Sequence, residues 1–434
     1  MVFKVLQIEV YFICDTFFRK DLLIKMSKVI VIGGGPAGIM AAYFASQAGA
    51  EVILIEKNKM LGKKLRITGK GRCNITNACD LEDFISNIYH NGSFMYSSLY
   101  SFTNDDLINL FEKNGLKVKI ERGKRVFPMS DKAIDVVNTL EKLICNENIE
   151  IIFGKKVKSI IIEGKLAKGV ILRDGKKIYS DAVILATGGK SYPLTGSTGD
   201  GYDIAKKCGH TITELKPALV GMNTKPIPKS EMVGLLLKNV SIALYRNGKK
   251  VYEDFGELEF RDYGIDGAIV KSASCYMGED RSDYKIILDL KPALDEKKLD
   301  NRIQRDFREM NNKFFRETLR KLLPAKMIDF IIEYSGIEPD KIVHQITKEE
   351  RKRLLNAIKN MELVIESLRP IDEAIVTSGG VSIKEINPST MESKIIEGLF
   401  FAGELIDVDG YTGGYNLQIA FSTGYIAGIN SIKI

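Results

Sequence analysis

A glycine-rich turn between two apolar runs constrains the fold of this chain more than any other feature. Residues 28–57 read KVIVIGGGPAGIMAAYFASQAGAEVILIEK. The β-branched run 29–32 is typical of a strand buried on both faces of a parallel sheet. Gly33, Gly35 and Gly38 then satisfy G-x-G-x-x-G. In this motif the first glycine permits a tight turn, the second lets a pyrophosphate approach the backbone, and the third lets a helix pack on the strand.

The residues after this turn provide the context that the motif needs. A helix is predicted over 36–47, and Pro36 suits its first turn because that N–H has no intrahelical partner. The N-terminus of this helix then points toward the phosphates. A second strand over 51–55 ends at Glu56, close to the spacing of about 20 residues expected for the acid that binds ribose hydroxyls. A glutamate here favours FAD or an NAD-like nucleotide over NADP, and the alternative is a plain strand-turn-helix with a surface acid.

Length and composition set the class of protein. A chain of 434 residues exceeds what one core usually serves, so two or three domains are expected. Its 45% hydrophobic and 27% charged residues are ordinary for a globular protein. The formal charge of +7 is modest, and with no zinc spacing or dense basic block a nucleic-acid partner is not expected. The six cysteines include no C-x-x-C, which indicates reduced thiols and a cytoplasmic protein.

Residues 1–25 are aromatic-rich, but charged residues interrupt every apolar stretch. Neither a signal peptide nor a membrane span is therefore predicted, and no membrane partner is expected. Because Met26 lies just before the first strand, we interpret residues 1–25 as an extension that is not native.

The loop 58–80 is rich in lysine, arginine and glycine. Converging backbone N–H groups and cations suit a pyrophosphate or an anionic flavin edge, and the alternative is a solvated basic loop. Cys73 and Cys79 form C-x5-C, a wider spacing than the active dithiol of disulfide-reducing flavoenzymes, so a catalytic dithiol is not favoured.

The rest of the chain alternates strand-like and helix-like segments. We expect helices near 105–113, 132–143, 202–207, 303–310, 349–359 and 416–428, a meander over 154–189, strands and turns over 211–290 with an Asn-Gly hairpin, and a late strand at 399–402. Because the last strand of the sheet comes so late, the predicted nucleotide domain is discontinuous. Its parts are 26–195 and 365–434, with a β-rich insert at 196–292 and a helical insert at 293–364.

Five motifs resemble one known family. They are GGGPAG at 33–38, TGKGRCNITN at 68–77, ATGGKSYPLTGSTGDG at 186–201, TSGGVSIKEINPSTMESK at 377–394 and GLFFAGELIDVDGYTGGYNLQIAF at 398–421. With them the chain resembles the BaiN-like, or YhiN-type, family of bacterial FAD-dependent oxidoreductases from Met26 to its C-terminus. The resemblance implies an α/β fold, in which a Rossmann-like FAD-binding domain of the glutathione-reductase type is interrupted by a β-barrel-like module and a helical module.

The resemblance also implies which residues bind FAD. Gly33, Gly35, Ala37, Gly38 and Glu56 would hold the ADP half, and Val157 would give the adenine backbone contacts. Arg72, Asn74, Thr76 and Asn77 would flank the phosphates and flavin, Ala186, Thr187 and Gly188 would lie along the cofactor, and Gly403, Glu404, Asn416, Leu417 and Gln418 would lie near the ribityl chain and ring. Pro36, Lys57, Lys64 and Gly414 complete the predicted cofactor-binding set.

A bound flavin carries the redox chemistry itself, so no Ser-His-Asp or carboxylate pair is needed, and no metal is predicted. None of the three histidines stands out as catalytic. Tyr192, Tyr411 and Tyr415 flank flavin-associated motifs and are candidates to stack on a substrate or donate a proton. Aromatic packing at a domain junction is the alternative.

The sequence contains no second strand-GxGxxG-helix unit. One possibility is therefore that a nicotinamide donor, NADH or NADPH, binds transiently in the substrate cleft. The other is that the substrate itself reduces the flavin, which oxygen then reoxidises. The resemblance implies a reductase of a conjugated, enone-type small molecule, or alternatively an oxidase of a small amine similar to the aminoacetone oxidases. A flavin-bearing redox sensor or binding protein is an alternative of a different class.

Overall fold

A computed structural model describes residues 26–145, 148–278 and 283–432. The predicted N-terminal extension, residues 1–25, lies outside this part of the chain. Most of the described chain belongs to two structural units, one around a parallel sheet and one around a closed barrel.

The strands follow one another along the chain as β1 Lys28–Ile32, β2 Glu51–Glu56, β3 Thr76–Asn77, β4 Val118–Glu121, β5 Arg125–Pro128, β6 Ile149–Phe153, β7 Val157–Glu163, β8 Leu166–Leu172, β9 Lys177–Tyr179, β10 Ala182–Leu185, β11 Lys216–Ala218, β12 Met222–Lys225, β13 Leu236–Arg246, β14 Lys249–Arg261, β15 Gly264–Asp266, β16 Tyr284–Asp289, β17 Met361–Leu368, β18 Val376–Ser378 and β19 Leu399–Phe401.

The α-helices are α1 Pro36–Gln47, α2 Leu81–Ser86, α3 Tyr96–Ser101, α4 Asn104–Lys113, α5 Ala133–Cys145, α6 Asp200–Lys207, α7 Ala268–Ser274, α8 Glu296–Glu309, α9 Phe315–Thr318, α10 Ile328–Ser335, α11 Lys348–Lys359 and α12 Tyr415–Asn430. The bounds of α1 match the predicted helix. Helix α7 lies in a stretch where only strands and turns were expected.

The central sheet has the order β19-β10-β1-β2-β6, and all its pairings are parallel. Strand β1 lies in its middle, which is why its apolar run is buried on both faces. Helix α12 packs closely on α1, because a Cβ at Gly424 would lie 2.4 Å from the carbonyl oxygen of Ala37. The C-terminal segment thereby completes a domain that begins at β1.

The predicted meander divides between two sheets. Strands β7, β8 and β9 form a separate antiparallel sheet, and only β10 enters the parallel sheet. A second small sheet has the order β3-β5-β4, and β11 pairs with β18.

The insert contains a closed barrel of order β12-β15-β14-β13-β16-β17. Its β13–β14 hairpin turns at Asn247 and Gly248, whose φ angles of 49° and 77° are those that the Asn-Gly signal predicts. The helices α8 to α11 lie between β16 and β17, so the helical module is inserted within the barrel instead of following it. Strand β17 therefore runs across the boundary expected at 364/365, because barrel closure needs it to pair with both β16 and β12.

Helices that combine the length and apolar character of a membrane span are absent from residues 26–145, 148–278 and 283–432. In the same ranges, no group of three or more His, Cys, Asp or Glu side chains is arranged to hold a metal ion.

Candidate functional site

One cleft lies at the carboxyl ends of four neighbouring strands of the parallel sheet. Ile32 ends β1, Glu56 ends β2, Ala186 follows β10 and Ala402 follows β19, and all four line the cleft. Ligands of open α/β sheets bind at this edge, where the strand order reverses direction. The cleft is therefore where the fold places a nucleotide.

The glycine turn at the base of the cleft has the geometry that its sequence predicts. A Cβ on Gly38 would lie 1.8 Å from the carbonyl oxygen of Gly33, so only glycine allows α1 to pack there. A Cβ on Gly35 would meet nothing within 4 Å, so the space beside this residue is open. Close packing at Gly38 and open space at Gly35 match the separate roles of these glycines toward helix and pyrophosphate.

The Glu56 carboxylate is fixed at the rim of this turn. Its Oε2 accepts a hydrogen bond from Gly34 N at 2.7 Å, and its Oε1 accepts from Asn58 N and Nδ2 at 2.7 and 2.8 Å. A carboxylate has about four acceptor sites in total, and these three hydrogen bonds leave one for a ligand. This arrangement suits one ribose hydroxyl group.

Most of the predicted cofactor-binding residues line this cleft. They are Gly33, Gly35, Pro36, Ala37, Glu56, Lys57, Lys64, Val157, Ala186, Thr187, Gly188, Gly403, Glu404, Asn416 and Leu417. The others, which do not line it, are Gly38, Arg72, Asn74, Thr76, Asn77, Gly414 and Gln418.

Arg72 is engaged by protein carboxylates. Its guanidinium donates to Asp131 at 2.6 Å and to Glu121 at 2.5 Å, and it lies 4.2 Å from the ring centroid of Phe127. Hydrogen bonds to these two carboxylates raise the pKa of Arg72. Its charge is therefore neutralised within the β3-β5-β4 sheet, and the side chain supports the loop instead of facing the cleft.

Thr76 and Gln418 bind each other across the domain. Thr76 Oγ1 donates to Gln418 Oε1 at 2.7 Å, and Gln418 Nε2 donates to Ser422 Oγ at 3.0 Å and to the carbonyl oxygen of Phe102 at 3.3 Å. All these contacts are buried. The pair connects the loop that follows β2 with helix α12, behind the wall of the cleft.

Asn77 and Gly414 shape the turn before α12. Asn77 Nδ2 donates to the carbonyl oxygens of Gly123 and Gly413 at 3.0 and 3.1 Å. A Cβ on Gly414 would lie 2.4 Å from the carbonyl oxygen of Thr76, so this turn can approach β3 only with glycine. These residues position Asn416 and Leu417, which do line the cleft.

Several lining residues were not predicted. They are Asn58, Lys63, Leu65, Thr68, Lys155, Lys156, Thr195, Gly196, Ser197, Asp200, Ile204, Ile375, Val376, Val408, Ile419 and Ala420, besides Gly34 and the strand ends Ile32, Ile55 and Ala402. Lys155 and Lys156 directly precede Val157, and Ile375 and Val376 directly precede the TSGG motif, so proximity to recognised motifs was the available signal.

One polar atom of a residue that lines the cleft lacks a protein partner. Thr187 Oγ1 is buried and has no hydrogen-bond partner among the described residues. Buried polar groups are usually hydrogen-bonded, so an unpartnered one on the cleft wall indicates a ligand there. Together with the open space at Gly35 and the carboxylate of Glu56, it shows that the residues present fit FAD. Asn74 Oδ1 is also unpartnered, but Asn74 does not line the cleft.

The barrel faces the FAD domain beside this cleft. Lys70, in the loop after β2, lies 3.6 Å from Glu259 of β14, and Ser272 of α7 lies 3.2 Å from Thr412. These contacts make a junction between the two units, and such junctions are common sites for small ligands.

The three candidate tyrosines occupy different environments. Tyr415 is buried and packs edge-to-face on Phe84 at 4.8 Å, so it belongs to the core. Tyr192 is 36% exposed. Tyr411 is half-buried, and its hydroxyl group contacts the hydroxyl group of Tyr276 in the barrel unit.

A buried carboxyl lies behind Tyr411. Asp409 is 1% exposed and accepts a hydrogen bond from Ser378 Oγ at 3.1 Å. Burial raises its pKa to about 6, and the Tyr89 side chain lies beside it. Cys73 is also fully buried, and burial raises the pKa of its thiol to about 12, which does not suit a reactive thiolate.

Residues 27–430 match the family described as HI0933-like protein Rossmann domain. The chain is 33% identical over 411 residues to the 3-dehydro-bile acid delta(4,6)-reductase of Clostridium scindens, an alignment covering 93% of this chain and 98% of that protein. It is 29% identical over 411 residues to the ribosomal RNA dihydrouridine synthase of Haemophilus influenzae, covering 94% of this chain and 98% of that protein.

Solved structures share the fold at lower identity. A flavocytochrome c3 fumarate reductase in its open conformation gives a TM-score of 0.52 at 20% identity over 94% of this chain and 78% of that one. The 3-ketosteroid-delta4-(5alpha)-dehydrogenase of Rhodococcus jostii RHA1, in complex with 4-androstene-3,17-dione, gives 0.52 at 14% identity over 94% of this chain and 97% of that one. These likenesses support the fold alone.

Proposed function

Because the chain belongs to the HI0933-like family and is an FAD-dependent oxidoreductase, we propose that it reduces a carbon–carbon double bond conjugated to a carbonyl group in a small molecule. The electrons would come from NADH or NADPH. The family and the class of FAD-dependent oxidoreductases provide the premise, and the reaction type, substrate class and electron donor are the proposal.

The likeness to a named reductase and to a named dihydrouridine synthase, over almost their whole lengths, supports this reaction type. A 3-dehydro bile acid carries a carbonyl at C3, with which a delta-4 double bond is conjugated, and the similar protein is named as a reductase of such double bonds. Dihydrouridine differs from uridine by reduction of the C5–C6 double bond, which is conjugated to the C4 carbonyl. The substrates that these names describe share one reactive unit, an alkene polarised by a carbonyl.

Bound FAD supplies the hydride when reduced, and the chain supplies binding and orientation. The open backbone at Gly35 and the N-terminus of α1 would bind the pyrophosphate, and Glu56 would accept a ribose hydroxyl. Lys64 and Glu404 hold the loop after β2 against the end of β19 on the wall of the cleft.

The nicotinamide donor has no dinucleotide-binding unit of its own. The sequence contains one strand-GxGxxG-helix unit, and the FAD site uses it. We therefore infer that donor and substrate occupy the same junction in turn. Steady-state rates at several fixed donor concentrations then give parallel double-reciprocal lines, and intersecting lines would contradict a shared site.

Anaerobic mixing with NADH or NADPH, followed by substrate, tests the proposed function. Loss of the oxidised flavin absorbance with either donor, and its return on adding 4-androstene-3,17-dione or another 4-en-3-one, supports the reductase. If both donors leave the flavin oxidised while a small amine such as aminoacetone bleaches it, the oxidase alternative replaces the proposal. If no donor, amine or enone changes the absorbance, a redox sensor or binding protein is the better description.

Uracil in RNA is a second candidate substrate. Relatives 29% identical to this chain, from Haemophilus influenzae and Escherichia coli, are named ribosomal RNA dihydrouridine synthases, and the alignments cover 98% and 96% of them. The side chains of Arg122, Lys124 and Arg125 are exposed on the β4–β5 turn, and Arg122 lies 5.4 Å from the ring centroid of Phe255 in the barrel. This small basic surface reaches the junction beside the cleft.

The two substrate classes are separated by the reoxidation step. Reduced enzyme is mixed anaerobically with a 4-en-3-one or with a uridine-containing RNA, and flavin reoxidation is followed. Faster reoxidation by RNA, with a rate that falls steeply between about 50 and 200 mM salt, would favour the RNA substrate. Reoxidation by the enone alone, with little dependence on salt, supports the small-molecule substrate.

A further inference from the structure

We propose that Tyr411 is the proton donor to the substrate carbon and that Tyr276 positions and reprotonates it. This assignment rests on the proposed reduction of a double bond conjugated to a carbonyl. Its geometric basis is a pair of tyrosine hydroxyl groups that the FAD domain and the barrel unit form together.

Tyr411 belongs to the turn between two residues that line the cleft, although it is not itself a lining residue. Val408 and Asn416, on either side of this turn in sequence, both line the cleft. The Asn416 side chain holds the turn in place, because its Oδ1 accepts from Gly410 N at 2.9 Å and its Nδ2 donates to the carbonyl oxygen of Gly410 at 2.7 Å. The backbone of Tyr411 is thus fixed next to residues that would contact the cofactor.

Two neighbouring rings fix the direction of the Tyr411 side chain. Its ring stacks on Tyr89 with centroids 5.0 Å apart and 23° between planes, and on Tyr276 with centroids 6.0 Å apart and 15° between planes. Tyr89 is anchored in the FAD domain beside Asp409, and Tyr276 follows α7 in the barrel unit. Tyr411 therefore lies between a ring of its own domain and a ring of the barrel unit.

The hydroxyl pair has the asymmetry that proton transfer needs. In a contact between two hydroxyl groups one donates and the other accepts, so the accepting group keeps its proton for a third partner. Tyr276 is 37% exposed, which gives the pair access to water. Tyr411 can thus face the substrate with its proton while Tyr276 connects it to solvent.

Other candidates are less suitable at this position. Tyr415 is buried in the core, and Lys271 is paired with Asp266. Burial raises the pKa of Tyr411 far above its ordinary value. Tyr411 is therefore protonated throughout the neutral range and ready to act as an acid.

Reduction adds a hydride and a proton across the double bond. The hydride would leave its bond in the reduced cofactor with both electrons and form a C–H bond at the β-carbon of the substrate, while the double-bond electron pair shifts to the α-carbon and carbonyl oxygen. The O–H bond of Tyr411 then breaks as its proton forms a C–H bond at the α-carbon. The Tyr411 phenolate regains a proton from Tyr276, and Tyr276 regains one from water. The substrate gains two electrons and two hydrogens, and the cofactor ends oxidised.

The test compares two ways of reoxidising the same reduced holoenzyme. The wild type and Tyr411→Phe are reduced with dithionite, which makes the result independent of the nicotinamide donor. Each is then mixed anaerobically with a 4-en-3-one, with uridine-containing RNA, or with ferricyanide. Ferricyanide accepts electrons without forming a C–H bond, so it reports on the cofactor and not on proton donation.

We expect Tyr411→Phe to slow reoxidation by the organic substrate about 100-fold or more, and to leave reoxidation by ferricyanide unchanged. Tyr276→Phe gives a smaller loss of about tenfold, because Tyr411 keeps its proton but loses the hydroxyl contact that positions it. Tyr100→Phe removes an exposed tyrosine of the FAD domain and serves as the matched control, with wild-type rates for every acceptor. Thermal unfolding of each variant, with and without FAD, checks that folding and loading are retained.

Each other outcome contradicts a specific part of the proposal. Wild-type rates in Tyr411→Phe, an equal loss with ferricyanide, or a large loss in Tyr192→Phe in place of Tyr411→Phe would overturn the assignment and leave the reductase proposal standing. If no enone or uridine reoxidises the wild type while ferricyanide does, the proposed function itself fails and the assignment fails with it. If Tyr411→Phe does not fold, Tyr276→Phe decides, since its wild-type reoxidation by substrate excludes the hydroxyl pair.

Discussion

The ammonium group of Lys64 lies 2.8 Å from Oε2 of Glu404. Lys64 lies in the loop after β2, whereas Glu404 follows β19, so the ion pair connects two segments that are remote in sequence. Lys64 Nζ also donates to Ser191 Oγ at 2.7 Å, and Thr377 N donates to Glu404 Oε1 at 2.9 Å. Four segments thus meet at one partly buried charge pair on the wall of the cleft.

Replacing Lys64 with methionine removes the only cation bonded to Glu404 among the described contacts. Because the pair is neither fully buried nor fully exposed, we expect a loss of about 2 kcal/mol in the free energy of unfolding. The additional change Glu404→Gln removes the uncompensated charge and restores part of this loss. The midpoint of urea unfolding of the apoprotein measures both effects. Lys63→Met, which loses an exposed contact to the Leu194 carbonyl oxygen, is the control and changes the midpoint little.

Alanine substitutions at two glycines of the first turn are expected to have different effects, one on the stability of the apoprotein and the other on FAD binding. In Gly38→Ala the new Cβ meets the Gly33 carbonyl oxygen at 1.8 Å, so we expect a loss of stability of about 3 kcal/mol in the apoprotein. In Gly35→Ala the new Cβ meets no protein atom within 4 Å, so apoprotein stability is retained. The methyl group instead occupies the space beside the pyrophosphate, and the Kd for FAD rises at least about tenfold. Equal effects of the two substitutions on apoprotein unfolding would contradict this division.

The nucleotide-binding segment could be predicted from patterns among residues that are close in sequence. Strand β1 and helix α1 follow from short-range rules on β-branched runs, glycine turns and proline at a helix start. Their positions agree with the structure because the groups involved are neighbours in sequence. Glu56 was predictable for the same reason, since its distance from the glycine turn is set by one helix and one strand.

Contacts between residues far apart in sequence could not be predicted from such local rules. Thr76 and Gln418 were predicted beside the cofactor, but they bind each other from positions 342 residues apart. A polar side chain near a glycine turn can hydrogen-bond to a ligand or to a distant part of the protein. The sequence alone does not distinguish these two roles. Strand β17 shows the same limit, because its pairing with β16 and β12 is decided by barrel closure and not by its own residues.

Glu56→Gln tests the acid at the end of β2. A carboxylate accepts hydrogen bonds from Gly34 N and from both nitrogen donors of Asn58, whereas the amide group of glutamine places a donor against one of them. Hydrogen bonds to a charged group contribute about 1.5–3 kcal/mol, so we expect the Kd for FAD to rise at least about tenfold. Quenching of FAD fluorescence measures the Kd. Glu51→Gln, at the exposed start of the same strand, is the matched control and retains wild-type affinity.

Asp409 makes the stability of the apoprotein depend on pH. Burial raises its pKa from 3.8 to about 6, while Tyr89, Ser378 and His90 favour its charged form and Asp407 opposes it. The folded state therefore binds this proton more tightly than the unfolded state. Stability contributed in this way is fully present below about pH 4 and is lost as the pH rises toward 6, with a total near 3 kcal/mol.

Asp409→Asn removes this loss, because a neutral amide replaces the buried carboxylate. We expect the variant to unfold at a higher urea concentration than the wild type at pH 7, and at nearly the same concentration at pH 4. His90 adds a separate decline at higher pH, since its hydrogen bond to Asp407 and the charge of Asp409 raise its pKa, and that decline is smaller in Asp409→Asn. Asp372→Asn, which neutralises an exposed carboxylate, controls for the change in net charge. A constant difference in midpoint between the wild type and Asp409→Asn from pH 4 to pH 7 would show that Asp409 ionises in the folded protein as readily as in the unfolded chain.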